Sequence, residues 1–206
     1  VADMSIHDRI DSTLVDRHRH IVGHAPVVFA DANVAASGLA HLAKIDRRGI
    51  LVADAVSHTK AVRLRPVLPS LDLVFANRRE AAAICDRSAT LTAVDLAATL
   101  CNDGAGMAVV SDGARHVAIA IKGKPAQALP VPTAVAVDET GAGDALVAGT
   151  LSGLVSGREL ADAVRLGIKV ARLCLESVGS GFPISRLDEL DTTFEDAGPR
   201  AKENPP

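Results

Sequence analysis

Short apolar runs alternate with longer amphipathic segments along most of this chain. Residues 27–30 and 107–110 have the length and composition of buried strands, and residues 35–47 have the apolar spacing of a helix. Strands that alternate with helices form βαβ units around a mainly parallel sheet. The sequence therefore predicts an α/β fold, with further strands at 50–53, 71–75, 116–121 and 126–131 and further helices at 78–85, 92–101, 143–156 and 159–175.

Two further patterns refine this fold. The runs 116–121 and 126–131 flank the turn Lys122-Gly123-Lys124-Pro125, which predicts an antiparallel hairpin at the edge of the sheet. Asn77, Ser111 and Asp138 each follow an apolar, strand-like run. Because ligands of open α/β sheets bind beyond the carboxyl ends of the strands, we expect these three residues to share that rim.

The composition limits the partners of the chain. Hydrophobic residues make up 48% of the 206 residues and aromatic residues only 2%, which argues against the stacking surfaces of single-strand nucleic-acid-binding proteins. A net charge of −3 without a long basic run argues against nucleic acid and anionic membranes as partners. No run approaches the ~18 apolar residues of a membrane span, and no signal peptide is visible.

Neither the cysteines nor the histidines form a motif. Cys85, Cys101 and Cys174 are far apart and include no CxxC pair, so we expect no zinc site, no disulfide framework and a reducing cytoplasm. His18, His20 and His24 lie close together in sequence, but no cysteine or carboxylate completes a metal-binding set. Residues 17–20 are interpreted as a solvated helix face.

The segment Gly141-Ala142-Gly143-Asp144 predicts a site for a negatively charged ligand. A small-residue helical pattern follows it, so the loop would present backbone N–H groups at a helix N-terminus, where the macrodipole favours negative charge. An anion site beside a carboxylate suits transfer of a phosphoryl group to a hydroxyl. The simpler alternative is a tight turn with Asp144 as an acid in the first helical turn.

The longer string from Asp138 to Ala145, Asp-x-Thr-Gly-Ala-Gly-Asp-Ala, resembles the second signature of the ribokinase-like (PfkB) carbohydrate kinases. The resemblance implies a three-layer α/β/α fold with a mainly parallel sheet, and ATP and Mg²⁺ as cofactors. It makes Asp144 the general base and Gly141, Ala142 and Gly143 the anion hole for the phosphoryl group. Asp138 and Thr140 match positions near a monovalent-cation site, and the use of potassium stays open.

Three further elements match the same family. Asn77-x-x-Glu80 resembles the element that arranges Mg²⁺ and phosphate, largely through water, although spacing alone favours a helix capping box. Ser111-Asp112-Gly113 resembles the nucleotide-contact turn, in which Ser111 reaches the phosphates and Gly113 lets the backbone approach the nucleotide. Lys60 supplies positive charge to the phosphates or is an ordinary solvated lysine, and the two interpretations are equally supported.

Several segments resemble the pseudouridine kinases of this family, above all the Val-Ser-x-x-Lys pattern that ends at Lys60. The resemblance implies ATP-dependent conversion of pseudouridine to pseudouridine 5′-phosphate. Two alternatives stay open. One is a kinase for another sugar, such as ribose or a keto-deoxy sugar acid; the other is a truncated, non-catalytic nucleotide-binding remnant.

The resemblance covers roughly residues 1–190 but not the whole family fold. Residues 1–22 are interpreted as the last strand of a lid and a connecting helix, 23–190 as the nucleotide-binding core, and 191–206 as a disordered tail. The N-terminal strands and the acceptor clamp of the family have no counterpart here. We therefore expect an exposed sheet edge, ATP binding with very weak turnover, and a homodimer only in the full-length protein.

Overall fold

The computed structural model describes residues 5–191, and the chain divides after Val131 into two compact units. The first unit comprises described residues 5–131 and the second 132–191. The expected disordered tail lies outside the described residues, apart from Asp191, and so do residues 1–4 of the expected lid strand. Ser5 and Ile6 are not extended, because they begin a 3₁₀ helix at Ser5–Arg9.

The first unit is built on a six-stranded sheet whose spatial order follows the chain. Strands β1 to β4 are parallel, and β5 and β6 continue the sheet as an antiparallel hairpin, as the sequence predicts. Among the described residues, β1 is an outer strand of the sheet, and the Phe29 side chain on it is 47% exposed. The strands are β1 (Val27–Asp31), β2 (Ile50–Asp54), β3 (Leu73–Asn77), β4 (Met107–Ser111), β5 (His116–Ile121) and β6 (Gln127–Pro130).

The helices of the first unit agree with the predicted segments where a local cap defines the boundary. Helix α5 occupies the predicted residues and begins after Asn77, and α6 begins after Thr92; both caps form complete capping boxes. The helices are α1 (Ser12–Arg17), α2 (Arg19–His24), α3 (Ala36–Leu42), α4 (His58–Ala61), α5 (Arg78–Cys85) and α6 (Ala93–Asn102), with a 3₁₀ helix at Val62–Ser70.

The helix predicted at 35–47 is too long, because α3 ends at Leu42. The carbonyl groups at its end do not continue the α-helical hydrogen-bond pattern. Arg47 Nη1 donates to the carbonyl oxygens of Leu42 (3.2 Å) and Ile45 (3.3 Å), and Arg47 Nη2 donates to that of Ser70 (2.8 Å). The Arg47 side chain therefore satisfies carbonyl oxygens that a longer helix would have bonded.

One face of the sheet forms the main core with the helices of the first unit. Consecutive parallel strands in simple spatial order place their right-handed crossovers on the same face. Alternate strand residues such as Val28, Ala53, Val74 and Val110 belong to one buried cluster with helix residues such as Leu96. The small, aliphatic residues that dominate the composition are therefore the ones that fill this core.

The second unit contains α7 (Ala142–Val155), α8 (Leu160–Leu175), a 3₁₀ helix at Ile184–Arg186 and α9 (Asp188–Asp191). Helices α7 and α8 pack closely through small residues. A Cβ atom at Gly153 would lie 2.7 Å from Ala163 Cα, and one at Gly149 would lie 2.8 Å from Gly167 Cα. The glycines that interrupt the hydrophobic pattern thus set the distance between the two helices.

The three cysteines, Cys85, Cys101 and Cys174, are free and buried. Burial raises the pKa of Cys85 to about 12 and that of Cys101 to about 11, so both are thiols at neutral pH. Within residues 5–191, no helix has the length and apolar character needed to cross a membrane.

Candidate active site

Helix α7 begins at a glycine that no other residue could replace without strain. Gly141 is the N-cap, with a φ of 82° and a ψ of −1° in the left-handed region. A Cβ atom here would lie 2.8 Å from the carbonyl oxygen of Ser180. Both the positive φ and the close approach of residue 180 therefore require glycine. Ala145 N closes the first turn by donating to Gly141 O at 2.8 Å.

The first turn of α7 is open above Gly143. A Cβ atom at Gly143 would meet no heavy atom within 4 Å, and Gly143 and Asp144 are both exposed. Their backbone N–H groups lie in the turn for which a helix provides no carbonyl acceptor. Asp144 occupies the third helical position, and no residue of the described chain donates a hydrogen bond to its carboxylate. The loop can therefore offer N–H donors and one carboxylate to a ligand.

The segment before this turn is held by Asp138. Its Oδ1 accepts from the backbone N–H of Thr140 at 2.9 Å, and its Oδ2 accepts from that of Gly179 at 3.0 Å. The hydrogen bonds from Thr140 and then Gly179 lower the pKa of Asp138 below its usual value. The backbone N–H groups of Val137 and Asp138 both donate to Leu175 O. Asp138 thus fixes the loop to the segment that follows α8.

The expected placement of Asp138 at a strand end is wrong. Residues 131–137 form no strand, although 134–137 are mostly apolar, and Asp138 belongs to a loop of the second unit. An apolar run forms a strand only when a neighbouring strand takes its hydrogen bonds. Here the N–H groups of residues 137 and 138 are instead taken by a single carbonyl at a helix end.

Asn77 and Glu80 form the capping box that the spacing favours. Asn77 Oδ1 accepts from the N–H groups of Arg79 and Glu80, both at 3.0 Å, and Glu80 Oε2 accepts from the Asn77 N–H at 2.8 Å. Glu80 is only 8% exposed. One oxygen of each side chain is therefore occupied by the start of α5, and this part of the pattern has a structural explanation.

The rim prediction is confirmed for Asn77 and Ser111. They are register partners at the carboxyl ends of the parallel strands β3 and β4. Ser111 leads into a turn in which Gly113 has a φ of 60°, and a Cβ atom at Gly113 would meet nothing within 4 Å. The turn requires glycine for its conformation and leaves open space beside it.

Two arginines fix the residue between Ser111 and Gly113. Asp112 accepts from Arg115 Nε at 2.8 Å and Nη2 at 2.7 Å, and from Arg78 Nε at 3.0 Å. These guanidinium groups, Arg115 before Arg78, hold the pKa of Asp112 below its ordinary value. Arg78 also donates to Ala89 O, so the turn is tied to the loop after α5. Asp112 therefore acts as the anchor of the turn.

Lys60 is not a solvated surface lysine. It lies in α4, and its Nζ donates to Asn33 Oδ1. Asn33 in turn donates to Asp31, from its backbone N (2.9 Å) and its Nδ2 (2.8 Å). Asp31 ends β1 beside its register partner Asp54 at the end of β2. Sequence reasoning assigned no role to Asp31 or Asn33, although the segment around them was one of those that resemble the pseudouridine kinases.

Within the described part of the first unit, two pairs of polar residues lie together along the strand ends. Asn77 lies beside Ser111, and Lys60 contacts Asn33. Gly141, Gly143 and Asp144 form a separate constellation in the second unit. No group of three or more His, Cys, Asp or Glu residues in the range 5–191 could hold a metal ion, which includes the histidines at 18, 20 and 24.

Comparison with known proteins identifies the family. The sequence model described as "pfkB family carbohydrate kinase" matches residues 17–187. The pseudouridine kinase of Escherichia coli K12 is 30% identical over 96% of this chain. The cytidine kinase of Thermococcus kodakarensis is 35% identical over 56% of this chain. This chain spans 64% of the length of the first relative and 41% of the second.

The solved structures agree. A carbohydrate kinase from Agrobacterium tumefaciens is 28% identical, with a TM-score of 0.77 over 93% of this chain and 62% of its own. The ribokinase of Thermotoga maritima, at 19% identity, shares the fold, with a TM-score of 0.74 over 90% of this chain and 61% of its own. The chain therefore belongs to the pfkB family of carbohydrate kinases.

Proposed function

We propose that this member of the pfkB family transfers the γ-phosphoryl group of ATP to a hydroxyl of a nucleoside or sugar, with pseudouridine as the favoured acceptor. The products would be pseudouridine 5′-phosphate and ADP. One observation carries the proposal. The first turn of α7 exposes Gly143 and Asp144, with their N–H groups and the Asp144 carboxylate, and it follows Gly141, whose positive φ requires glycine.

This geometry suits the chemistry of phosphoryl transfer. The acceptor oxygen forms a bond to the γ-phosphorus, and the bond from that phosphorus to the bridging oxygen of ADP breaks. Asp144 takes the hydroxyl proton as general base, a contribution of about 10²–10⁴-fold in rate. The N–H groups of Gly141 and Gly143 stabilise the negative charge that spreads over the transferring group. Ala142, the third residue of the proposed anion hole, donates its N–H to Glu139 O at 3.3 Å and would have to leave that carbonyl to join them.

The first unit supplies groups for the nucleotide. In this proposal Ser111 donates its hydroxyl to the phosphates and the open space at Gly113 admits the nucleotide to the backbone. Lys60 brings a positive charge, and its hydrogen bond to Asn33 uses one of the three ammonium donors. Asn33 would hold the ammonium in place while the other two donors remain for phosphate oxygens.

The residues present fit Mg²⁺ only in an indirect role. One Glu80 oxygen and one Asn77 oxygen are committed to the capping box, and the described residues contain no direct metal-binding group of three or more. A Mg²⁺ ion that arrives with ATP keeps several waters, which these two side chains could orient. A monovalent cation near Asp138 and Thr140 is a further proposal, and ADP release measured with and without K⁺ tests it.

The relatives support a nucleoside as the acceptor, since pseudouridine, cytidine and adenosine kinases are all similar to this chain. The pseudouridine kinase aligns with the largest share of it among these three. Free, buried cysteines accord with a reducing compartment, and we therefore propose a cytoplasmic location. We also propose a homodimer for the full-length protein.

The test is ADP release by the protein expressed from its complete reading frame. Pseudouridine, cytidine, adenosine, ribose and fructose 6-phosphate are compared at equal concentration, and kcat/KM is expected to be highest for pseudouridine. A higher value for ribose would favour a sugar kinase. Absence of turnover with every acceptor would overturn the proposal, and calorimetry with Mg-ATP would then separate a nucleotide-binding module from a remnant that binds nothing.

A further inference from the structure

A basic cavity lies at the end of the sheet opposite the candidate nucleotide residues. Strands β1 and β2 are parallel, so Asp31 and Asp54 mark one edge of the sheet and the amino ends of these strands mark the other. At the amino ends, α2 and the loop before β2 line an open cavity of about 500 Å³. Its lining residues are Arg19, His20, Gly23, His24, Ile45, Asp46, Arg47 and Arg48.

The walls of this cavity are held by backbone contacts. Arg48 N donates to Gly23 O at 3.1 Å, and Ile50 N donates to Pro26 O at 3.1 Å. A Cβ atom at Gly49 would overlap the carbonyl oxygen of Ala25, and one at Gly23 would lie 3.2 Å from Asp46 O. The two segments therefore approach each other as closely as glycine allows, and the cavity has a defined shape.

The charge of the lining is positive, although the whole chain carries −3. Three arginines face a single acid, Asp46. Arg19 and Arg48 are exposed, and neither side chain has an ion-pair or hydrogen-bond partner among the described residues. The rings of His20 and His24 also line the cavity, with centroids 4.4 Å apart, and His24 Nδ1 lies 2.8 Å from His20 O.

Arg47 is fixed rather than free. Its Nη atoms are held by three backbone carbonyls, and Asp72 lies 3.8 Å from Nη2. Its Nε, however, is buried and has no hydrogen-bond acceptor within the described chain. A buried donor without a partner is costly, but this Nε is closed to solvent and so to a ligand in the cavity. Contacts with a ligand are therefore expected from Arg19 and Arg48, which are exposed.

We propose that this cavity binds a phosphorylated small molecule, at a second site distinct from the carboxyl edge of the sheet. Its volume lies within the ~300–1,000 Å³ of small-molecule sites. Guanidinium groups pair with phosphate oxygens in bidentate geometry, and Arg19 and Arg48 both line this cavity. Because Arg47 is paired with Asp72, Arg19 and Arg48 against Asp46 leave one net positive charge, which suits a phosphate group.

Inorganic pyrophosphate is the probe for this site. The isotope-labelled chain is titrated without added divalent cation, and backbone amide shifts are followed by NMR. Saturable shifts are expected at residues 19–24 and 45–49. The double variant Arg19→Ala/Arg48→Ala should weaken pyrophosphate binding about tenfold or more, since two charge-assisted contacts are lost.

The matched control is Arg87→Ala/Lys124→Ala, which removes two positive charges from exposed positions away from the cavity. It should change pyrophosphate binding less than about twofold, since screened distant charges contribute little. The proposal is overturned if the cavity amides do not shift, if only Gly143 and Asp144 respond, or if the control weakens binding as much as the cavity variant does.

Discussion

The glycine loop at residues 141–144 and the strand ends at residues 77–80 and 111–113 both carry the family pattern, but they differ in how their side chains are used. At the strand ends, Asn77, Glu80 and Asp112 are occupied by hydrogen bonds within the protein. In the loop, the Asp144 carboxylate and the space above Gly143 are open.

The difference shows which residues the fold alone explains. A capping box stabilises a helix whether or not a ligand binds, so Asn77 and Glu80 would be retained for stability alone. An exposed aspartate at a helix start contributes modestly to stability through the macrodipole. The loop is therefore the stronger indicator of chemistry, and the strand ends need experiments that separate stability from turnover.

The largest effect is expected at Asp144. Asp144→Asn should lower kcat by about 10²–10⁴-fold because the general base is lost. The unfolding temperature should change little, since the side chain is exposed. ADP release with pseudouridine measures the effect, and Glu139→Gln, an exposed acid of the same loop, is the control. Wild-type kcat in Asp144→Asn would remove the assignment of the base.

The two glycines of the loop should respond in opposite ways to alanine. Gly141→Ala places a Cβ against Ser180 O at positive φ and should destabilise the protein by about 1–3 kcal/mol. Gly143→Ala meets open space within a helix and should be neutral or stabilising by about 0.5–1 kcal/mol.

Measurement of kcat separates a structural role of these two glycines from a catalytic one. Although Gly143→Ala is expected to fold normally, its methyl group would occupy the space offered to the phosphoryl group, so kcat should fall. Thermal unfolding and ADP release are measured on both variants. A Gly143→Ala variant with unchanged kcat would show that the open space is not used by the reaction.

Glu80→Gln tests whether the capping box is the whole role of Glu80. Glutamine also completes a capping box, so the free energy of unfolding should change by less than about 0.5 kcal/mol. If Glu80 also orients the water around Mg²⁺, half-maximal ADP release should require a higher Mg²⁺ concentration. Thr92, which caps α6 with Asp95, provides the control through Asp95→Asn. An unchanged Mg²⁺ titration would leave Glu80 with a structural role only.

The smallest effect is expected at Asp112 and depends on pH. Its pKa is lowered in the folded protein, so its charge stabilises the fold above the ordinary carboxyl range near pH ~4 and this contribution is lost as the pH falls below that range. Asp112→Asn should therefore lower the unfolding temperature at pH 7, and the difference from wild type should shrink towards pH 3. A constant difference across that interval would contradict the assigned ion pairs.

Local chemistry explains what could be predicted from the sequence. Helix α5 occupies the predicted residues because Asn77 and Glu80 cap it within four residues of chain. The hairpin of β5 and β6 follows from the turn that joins them. Asn77 and Ser111 meet because equivalent ends of adjacent parallel strands share an edge, whatever the details of packing.

Contacts between distant residues explain what could not be predicted. Helix α3 ends at Leu42, and Arg47, which lies inside the predicted helix, donates both to Leu42 O and to Ser70 O, 23 residues away. Asn33 was overlooked because its partner Lys60 is 27 residues away and no short motif joins them. The run before Asp138 is not a strand, and the N–H groups of Val137 and Asp138 donate to Leu175 O at the end of α8.

The sequence by itself determined the α/β class, the caps and turns, and the glycine loop with its aspartate, since each depends on residues a few positions apart. Only the tertiary structure decided that Asp144 and Gly143 are open, that Lys60 is held by Asn33, and that arginines from two segments line one cavity. The exposure of side chains and the clustering of charges depend on which distant segments the packed core brings together, and local periodicity does not indicate this.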